Sequence, residues 1–142
     1  MFTTPCFIKK NTKQLREILK QIGYKPSQTY NIEHPYLWTC ENGYYYSTTN
    51  DNLESINLGD SYGPYGICCG YNDDMFLMLA SMNDENDKHQ YFNANDKDFY
   101  YCNDNKFDNE LANVTNNVYV NYHKSTKEEI INYYKNYVFS SK

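Results

Sequence analysis

Lys9, Lys10, Asn11, Thr12 and Lys13 stand together where the apolar run Cys6-Phe7-Ile8 gives way to a helical pattern. A helix start leaves backbone N–H groups unpaired and presents the positive end of the dipole. With lysines beside it, such a junction can hold a phosphate. Aromatic side chains supply the other half of a nucleotide site, since stacking is worth about 1–3 kcal/mol per base. Tyr24, Tyr36, Trp38 and Tyr44–Tyr46 come from adjacent segments. The candidate ligand site is therefore Lys9, Lys10, Asn11, Thr12, Tyr24, Trp38 and Tyr45. Tight capture there needs a closed pocket, which a homo-oligomer can supply at its subunit boundary. The same residues also read as an ordinary solvated helix start beside a hairpin with one aromatic face.

Other chemistry finds weaker footing. A Cys–His hydrolase needs a thiolate beside an imidazole held by a third group. The chain has five cysteines and three histidines, but only Cys68-Cys69-Gly70 sits where a nucleophile is expected, and a buried strand explains it more simply. No Cys-x-x-Cys or His-x-x-x-His occurs, and the acidic runs lack the calcium-loop pattern, so no metal site is expected. No glycine-rich phosphate loop occurs, so no bound cofactor is expected. The expectation is a non-enzymatic binder with no catalytic residue.

The elements that must position these residues follow from periodicity. Cys6-Phe7-Ile8 reads as a strand. Asn11 to Gln14 reads as a helix start, and Leu15, Ile18, Leu19 and Ile22 form one helical face that Gly23 ends. Lys25–Pro35 reads as a loop. Asn42-Gly43 between Tyr36–Cys40 and Tyr44–Thr49 signals a hairpin with a type I′ turn. After a second loop over 50–64, Tyr65–Gly70 reads as a buried strand. Asn72 caps a helix through Met82 whose Met75, Met78, Leu79 and Met82 stripe reads as core. His89–Asn93, Phe99–Asn103 and Val118–Tyr122 read as strands. Ser125-Thr126-Lys127-Glu128 reads as the capping box of a last helix, with Ile130, Tyr134, Tyr137 and Val138 on one side. These elements predict one α+β domain over residues 1–142, with about three helices on an antiparallel or mixed sheet of five to seven short strands.

Composition bounds the partners. The 142 residues carry a net charge of −5 and a pI near 5.1, which excludes broad binding to extended nucleic acid. Residues 1–25 are net +5, with six cations against Glu17, while residues 26–123 are net −12, with 15 acids against three lysines. The longest apolar run, Met75–Ala80, is too short to span a bilayer, and the start lacks a secretory pattern, so a cytoplasmic, soluble protein is expected. Asn occurs 20 times, Tyr 17 times, and Lys outnumbers Arg 12 to 1. That bias follows AT-rich codons, so the tyrosine count alone does not mark a stacking surface.

Thr4-Pro5-Cys6-Phe7-Ile8, Leu15-Arg16, Leu19, Gly23-Tyr24, Cys69 to Leu77, Asn83-Asp84 and Asp87 to Phe92 together resemble small proteins of Bacteroidales phages and mobile elements. The resemblance covers about a third of the chain, carries no assigned activity and transfers no site. It implies a phage-like origin and one compact domain. By analogy with phage proteins that sequester nucleotide signals of host defence, the first functional reading is a sponge for a small phosphate-bearing ligand. The second is a protein-interaction module, an inhibitor of a host protein or a virion component, whose contact face is the acidic segment 73–110 with its tyrosines.

Overall fold

Three consecutive buried residues, Cys6, Phe7 and Ile8, form strand β1 (Cys6–Ile8). A strand that is apolar on both faces belongs in the middle of a sheet, and β1 lies there. It pairs antiparallel with β3 (Tyr36–Thr39) and parallel with β6 (Gly66–Cys68). Outward from β3 come β4 (Tyr44–Thr48) and β2 (Lys25–Pro26), and outward from β6 comes β5 (Ser61–Tyr62). The result is a six-stranded mixed sheet in the order β2-β4-β3-β1-β6-β5. The computed structural model describes residues 2–28, 30–49, 61–62, 66–85, 87–93, 99–104, 114–115, 118–119 and 122–134.

Helices cover one face of this sheet. α1 (Lys13–Ile22) starts at Thr12, whose Oγ1 accepts the Leu15 N–H at 3.2 Å. It buries Leu15 and Leu19 and stops at Gly23, whose φ of +127° suits the left-handed C′ position. α2 (Asp73–Ala80) starts at Asn72 and buries Met75, Phe76, Met78, Leu79 and Ala80. A helix this apolar must be covered on most sides, and α2 packs on β1, α1 and α3 (Lys127–Tyr134). Cys6, Ile8, Leu37, Tyr45 and Ile67 join these helices in one core, while Phe7 and Cys68 pack with Tyr36 and Trp38 on the opposite sheet face.

A second, antiparallel sheet is ordered β11-β7-β8, from β7 (Tyr91–Asn93), β8 (Phe99–Tyr101) and β11 (His123–Lys124). A short ribbon pairs β9 (Val114–Thr115) with β10 (Val118–Tyr119). The molecule is thus the expected α+β fold, with the described strands divided among a six-stranded sheet, a three-stranded sheet and a two-stranded ribbon. Two fully buried amides fasten the second sheet to the helices. Gln90 Nε2 donates to the Ser81 carbonyl at 2.6 Å, and Asn93 Nδ2 donates to Glu129 Oε2 at 2.9 Å. None of the described helices is long and apolar enough to cross a membrane.

Four local expectations shift. Lys25–Pro26, read as loop, is a parallel edge strand on β4. The last helix is capped one residue later than expected. Thr126 and Glu129 form the reciprocal box, with Thr126 N–H to Glu129 Oε1 at 2.9 Å and Glu129 N–H to Thr126 Oγ1 at 3.2 Å. The hairpin turn is not type I′, because Gly43 takes φ +88° while Asn42 does not have a positive φ. Cys40 N–H instead bonds Tyr44 O at 3.1 Å, closing a three-residue loop over Glu41-Asn42-Gly43. Of the expected strand Val118–Tyr122, Val118–Tyr119 is strand and Tyr122 is not, while residues 120 and 121 lie outside the described residues. The loop over 50–60 and 63–65, the connection 94–98, the acidic run 105–110, and Tyr137 and Val138 lie outside the described residues.

Candidate functional site

The residues proposed for a phosphate are each committed elsewhere. Lys10 Nζ pairs with Asp73 Oδ1 at 2.7 Å. Lys9 is 7% exposed, with its ammonium 4.9 Å from the centre of the Tyr71 ring. Asn11 Nδ2 donates to the His34 carbonyl at 2.7 Å, and its Oδ1 accepts from Arg16. Thr12 caps α1 with its own hydroxyl. At the start of α1 the Leu15 and Arg16 N–H groups are therefore satisfied by Thr12.

The proposed stacking residues do not assemble either. Tyr24 is 2% exposed, stacks on Phe2 with centroids 4.1 Å apart, and donates its hydroxyl to Ala80 O at 2.6 Å. Burial, with Cys6 nearby, holds its phenol far above the ordinary 10.0. Tyr45 is also 2% exposed and meets the edge of Tyr30. Both are core rings with no face left for a base. Trp38 stacks on its cross-strand partner Tyr46 at 4.2 Å, whereas Tyr45 sits opposite Thr39. Side chains alternate along a strand, so Trp38 and Tyr45 face opposite sides of the sheet and cannot flank one ligand.

A different site forms where α2 meets the second sheet and α3. Tyr91 and Tyr101 are cross-strand partners on β7 and β8, so they share a face, with centroids 5.3 Å apart. Tyr133 and Tyr134 at the end of α3 meet edge to face at 4.8 Å, and Phe99 meets Tyr133 edge to face at 5.0 Å. From α2, Asp74 and Met78 lie four residues apart on the same helix face. Tyr134 donates its hydroxyl to Met78 Sδ at 3.3 Å.

These residues enclose two adjoining cavities. One, of about 310 Å³, is lined by Asp74, Met78, Tyr91, Phe99, Tyr133 and Tyr134. The other, of about 290 Å³, runs along α1 and α2 to His89 and Tyr101, past Ile18, Gln21, Ile22, Leu77 and Ser81. Asp74 and Tyr91 belong to both, so the two form one groove with a carboxylate at its midpoint. Among the described residues neither lining contains a lysine or arginine. Among the described residues Asp74 forms no ion pair, in contrast to its neighbour Asp73.

Electrostatics follow from that placement. Burial, Tyr101 and the Asp74 charge raise the Tyr91 phenol. Burial and Asp74 push Tyr134 up to about 12. Both hydroxyls therefore stay protonated at neutral pH. At the far end His89 is held at φ +68°, uncommon for a residue with a side chain. Its backbone N–H donates to Cys102 O at 2.7 Å, and its Nδ1 hydrogen-bonds the Tyr101 hydroxyl. Burial and Lys88 lower its pKa below the ordinary 6.5, against an opposing Gln21 carbonyl, so the ring is neutral at pH 7. Among the described residues the groove lining then holds one carboxylate and no lysine, arginine or charged histidine.

Among the described residues nothing nearby resembles a nucleophile with its base. Ser125 is 3% exposed and gives its hydroxyl proton to Asn93 Oδ1 at 2.6 Å rather than to a histidine. His123 Nε2 contacts Glu129 Oε2 at 2.8 Å, within the caps that hold α3. Burial raises the thiols of Cys40, Cys68 and Cys69, the opposite of activation. No group of three metal-ligating side chains occurs among the described residues.

Sequence reasoning marked the acidic segment 73–110, which supplies Asp74, His89, Tyr91, Phe99 and Tyr101. It missed the contribution of Tyr133, because 17 tyrosines make the residue type uninformative. The only available signal was the adjacent pair Tyr133-Tyr134, which must place one ring off the buried side of α3. No protein-family model, curated protein or solved structure matches this chain.

Proposed function

We propose that this protein is a non-enzymatic interaction module that holds a basic segment of a partner protein in the groove around Asp74. The observation that carries the reading is an aromatic groove, some 300 Å³ on each side of its midpoint, in which the acidic side chain among the described lining residues is Asp74, with no ion pair among the described residues. Tyrosine is enriched where binding energy concentrates, because a rigid ring brings large area and a polar tip. The net −12 of residues 26–123 adds a long-range field that draws a basic partner. A phosphate-bearing ligand finds no cation among the described residues of this groove, and Lys10, Asn11 and Thr12 already have partners elsewhere.

Isothermal titration with a peptide of alternating glycine and basic residues tests the reading. The protein binds it, Asp74→Asn weakens binding at least tenfold, and Lys10→Gln leaves it unchanged. Loss on Lys10→Gln with no effect of Asp74→Asn overturns the assignment.

A further inference from the structure

We infer that the midpoint of the groove is a guanidinium site, so that the partner is recognised through an arginine rather than a lysine. The inference rests on the interaction reading above and names the group that reading leaves open.

The carboxylate comes first. Asp74 is exposed in the first turn of α2, and none of its oxygens is taken by an ion pair among the described residues. Two free carboxylate oxygens match the two parallel N–H groups of a guanidinium, giving a bidentate pair. An ammonium presents a point charge and meets one oxygen as well as two.

The rings come second. Tyr91 reaches Asp74 from the second sheet and Tyr134 reaches it from α3, close enough that the Asp74 charge raises both phenols. The pairs around them are tilted or edge to face, at 54° for Tyr91–Tyr101 and 76° for Tyr133–Tyr134. A tilted or edge-to-face pair covers less ring face than a parallel sandwich does. A planar guanidinium stacks on an open ring face while its edge bonds a carboxylate. The more strongly hydrated ammonium of lysine gains less from the same walls. From this midpoint the two cavities run in two directions, which gives the residues flanking the arginine a place on each side.

Three acetylated, amidated hexapeptides separate the possibilities: Gly-Ser-Gly-Arg-Gly-Ser and its counterparts with lysine or citrulline in place of arginine. Citrulline keeps the planar shape and removes the charge. Tyrosine fluorescence and amide shifts follow each titration. The arginine peptide binds, the lysine peptide binds at least fivefold more weakly, and the citrulline peptide does not bind. Asp74→Asn abolishes the difference between arginine and lysine. Tyr133→Ala, at a ring 48% exposed, weakens the arginine peptide severalfold without lowering the melting temperature. Equal binding of arginine and lysine peptides that still requires Asp74 overturns the guanidinium inference and leaves the interaction reading standing. Absence of binding by either cationic peptide overturns both.

Discussion

The Tyr24 hydroxyl donates to the Ala80 carbonyl at 2.6 Å, which joins the residue after the α1 stop to the last residue of α2. Both atoms lie in the core, so this bond orients two helices that share the lining of one half of the groove. Removing the hydroxyl leaves a buried carbonyl unpaired, at a cost of about 1–3 kcal/mol. Tyr24→Phe keeps the stack on Phe2 and loses this bond together with the hydroxyl's contact to the Thr39 side chain. Urea unfolding should show a lower midpoint with an unchanged slope.

Gly66 is predicted to tolerate no side chain. It has φ +73°, and a Cβ there would stand 2.0 Å from the Pro5 carbonyl oxygen. That oxygen accepts the Ile67 N–H at 3.0 Å and so closes the parallel β1–β6 pair. The left-handed backbone alone costs an L-residue about 1–2 kcal/mol, and the clash adds to it. Gly43→Ala, where the nearest side-chain atom is 3.8 Å away, carries the backbone cost only. Thermal unfolding of the two variants should show a much larger loss for Gly66→Ala.

Stability should fall at both ends of the pH scale through named groups. His89 has a lowered pKa in the folded state, so the unfolded chain binds more protons below pH 6.5. Its contribution is fully present above that pH and is lost as pH falls toward the lowered value. Tyr24, Tyr91 and Tyr134 have raised pKa values, Tyr134 to about 12, so the folded chain keeps protons that the unfolded chain releases above the ordinary 10.0. Their contribution is present below pH 10.0 and is lost as pH rises toward the raised values. His89→Gln should flatten the acid side of a stability curve from pH 5 to 8 and leave the alkaline side unchanged.

The thiols give a direct check on the core. Cys6, Cys68, Cys69 and Cys102 are buried and Cys40 is half-buried, with all five reduced. A thiol reagent should label Cys40 alone in the native protein, slowly, because burial and Glu41 raise its pKa. Unfolding should expose all five. Fast labelling of Cys68 or Cys69 would contradict the packing of β6.

Where the pattern was regular, the fold was legible. Leu15 and Leu19 with Gly23 define α1, and Asn72 with the Met75–Met78–Leu79 stripe defines α2, because 3.6-residue periodicity and capping chemistry are local. The candidate site was not legible, and the hairpin shows why. A two-residue Asn42-Gly43 turn would pair Trp38 with Ser47 and set Trp38 and Tyr45 on one face. The three-residue turn pairs Trp38 with Tyr46 and sets Trp38 and Tyr45 on opposite faces. One residue of register reverses every side chain, and the turn type rests on the φ of Asn42 alone. The groove depends on contacts among α2, β7, β8 and α3, which local patterns do not contain.

The most direct test of the account is a pair of amide shift titrations on the isotopically labelled protein, one with the arginine hexapeptide and one with ATP. The account predicts that the peptide moves the amides of Asp74, Tyr91, Tyr101 and Tyr134, while ATP moves none of those from Lys9 to Thr12. Shifts at Lys9 to Thr12 on adding ATP, with the groove silent to the peptide, would contradict it and restore the phosphate-binding reading.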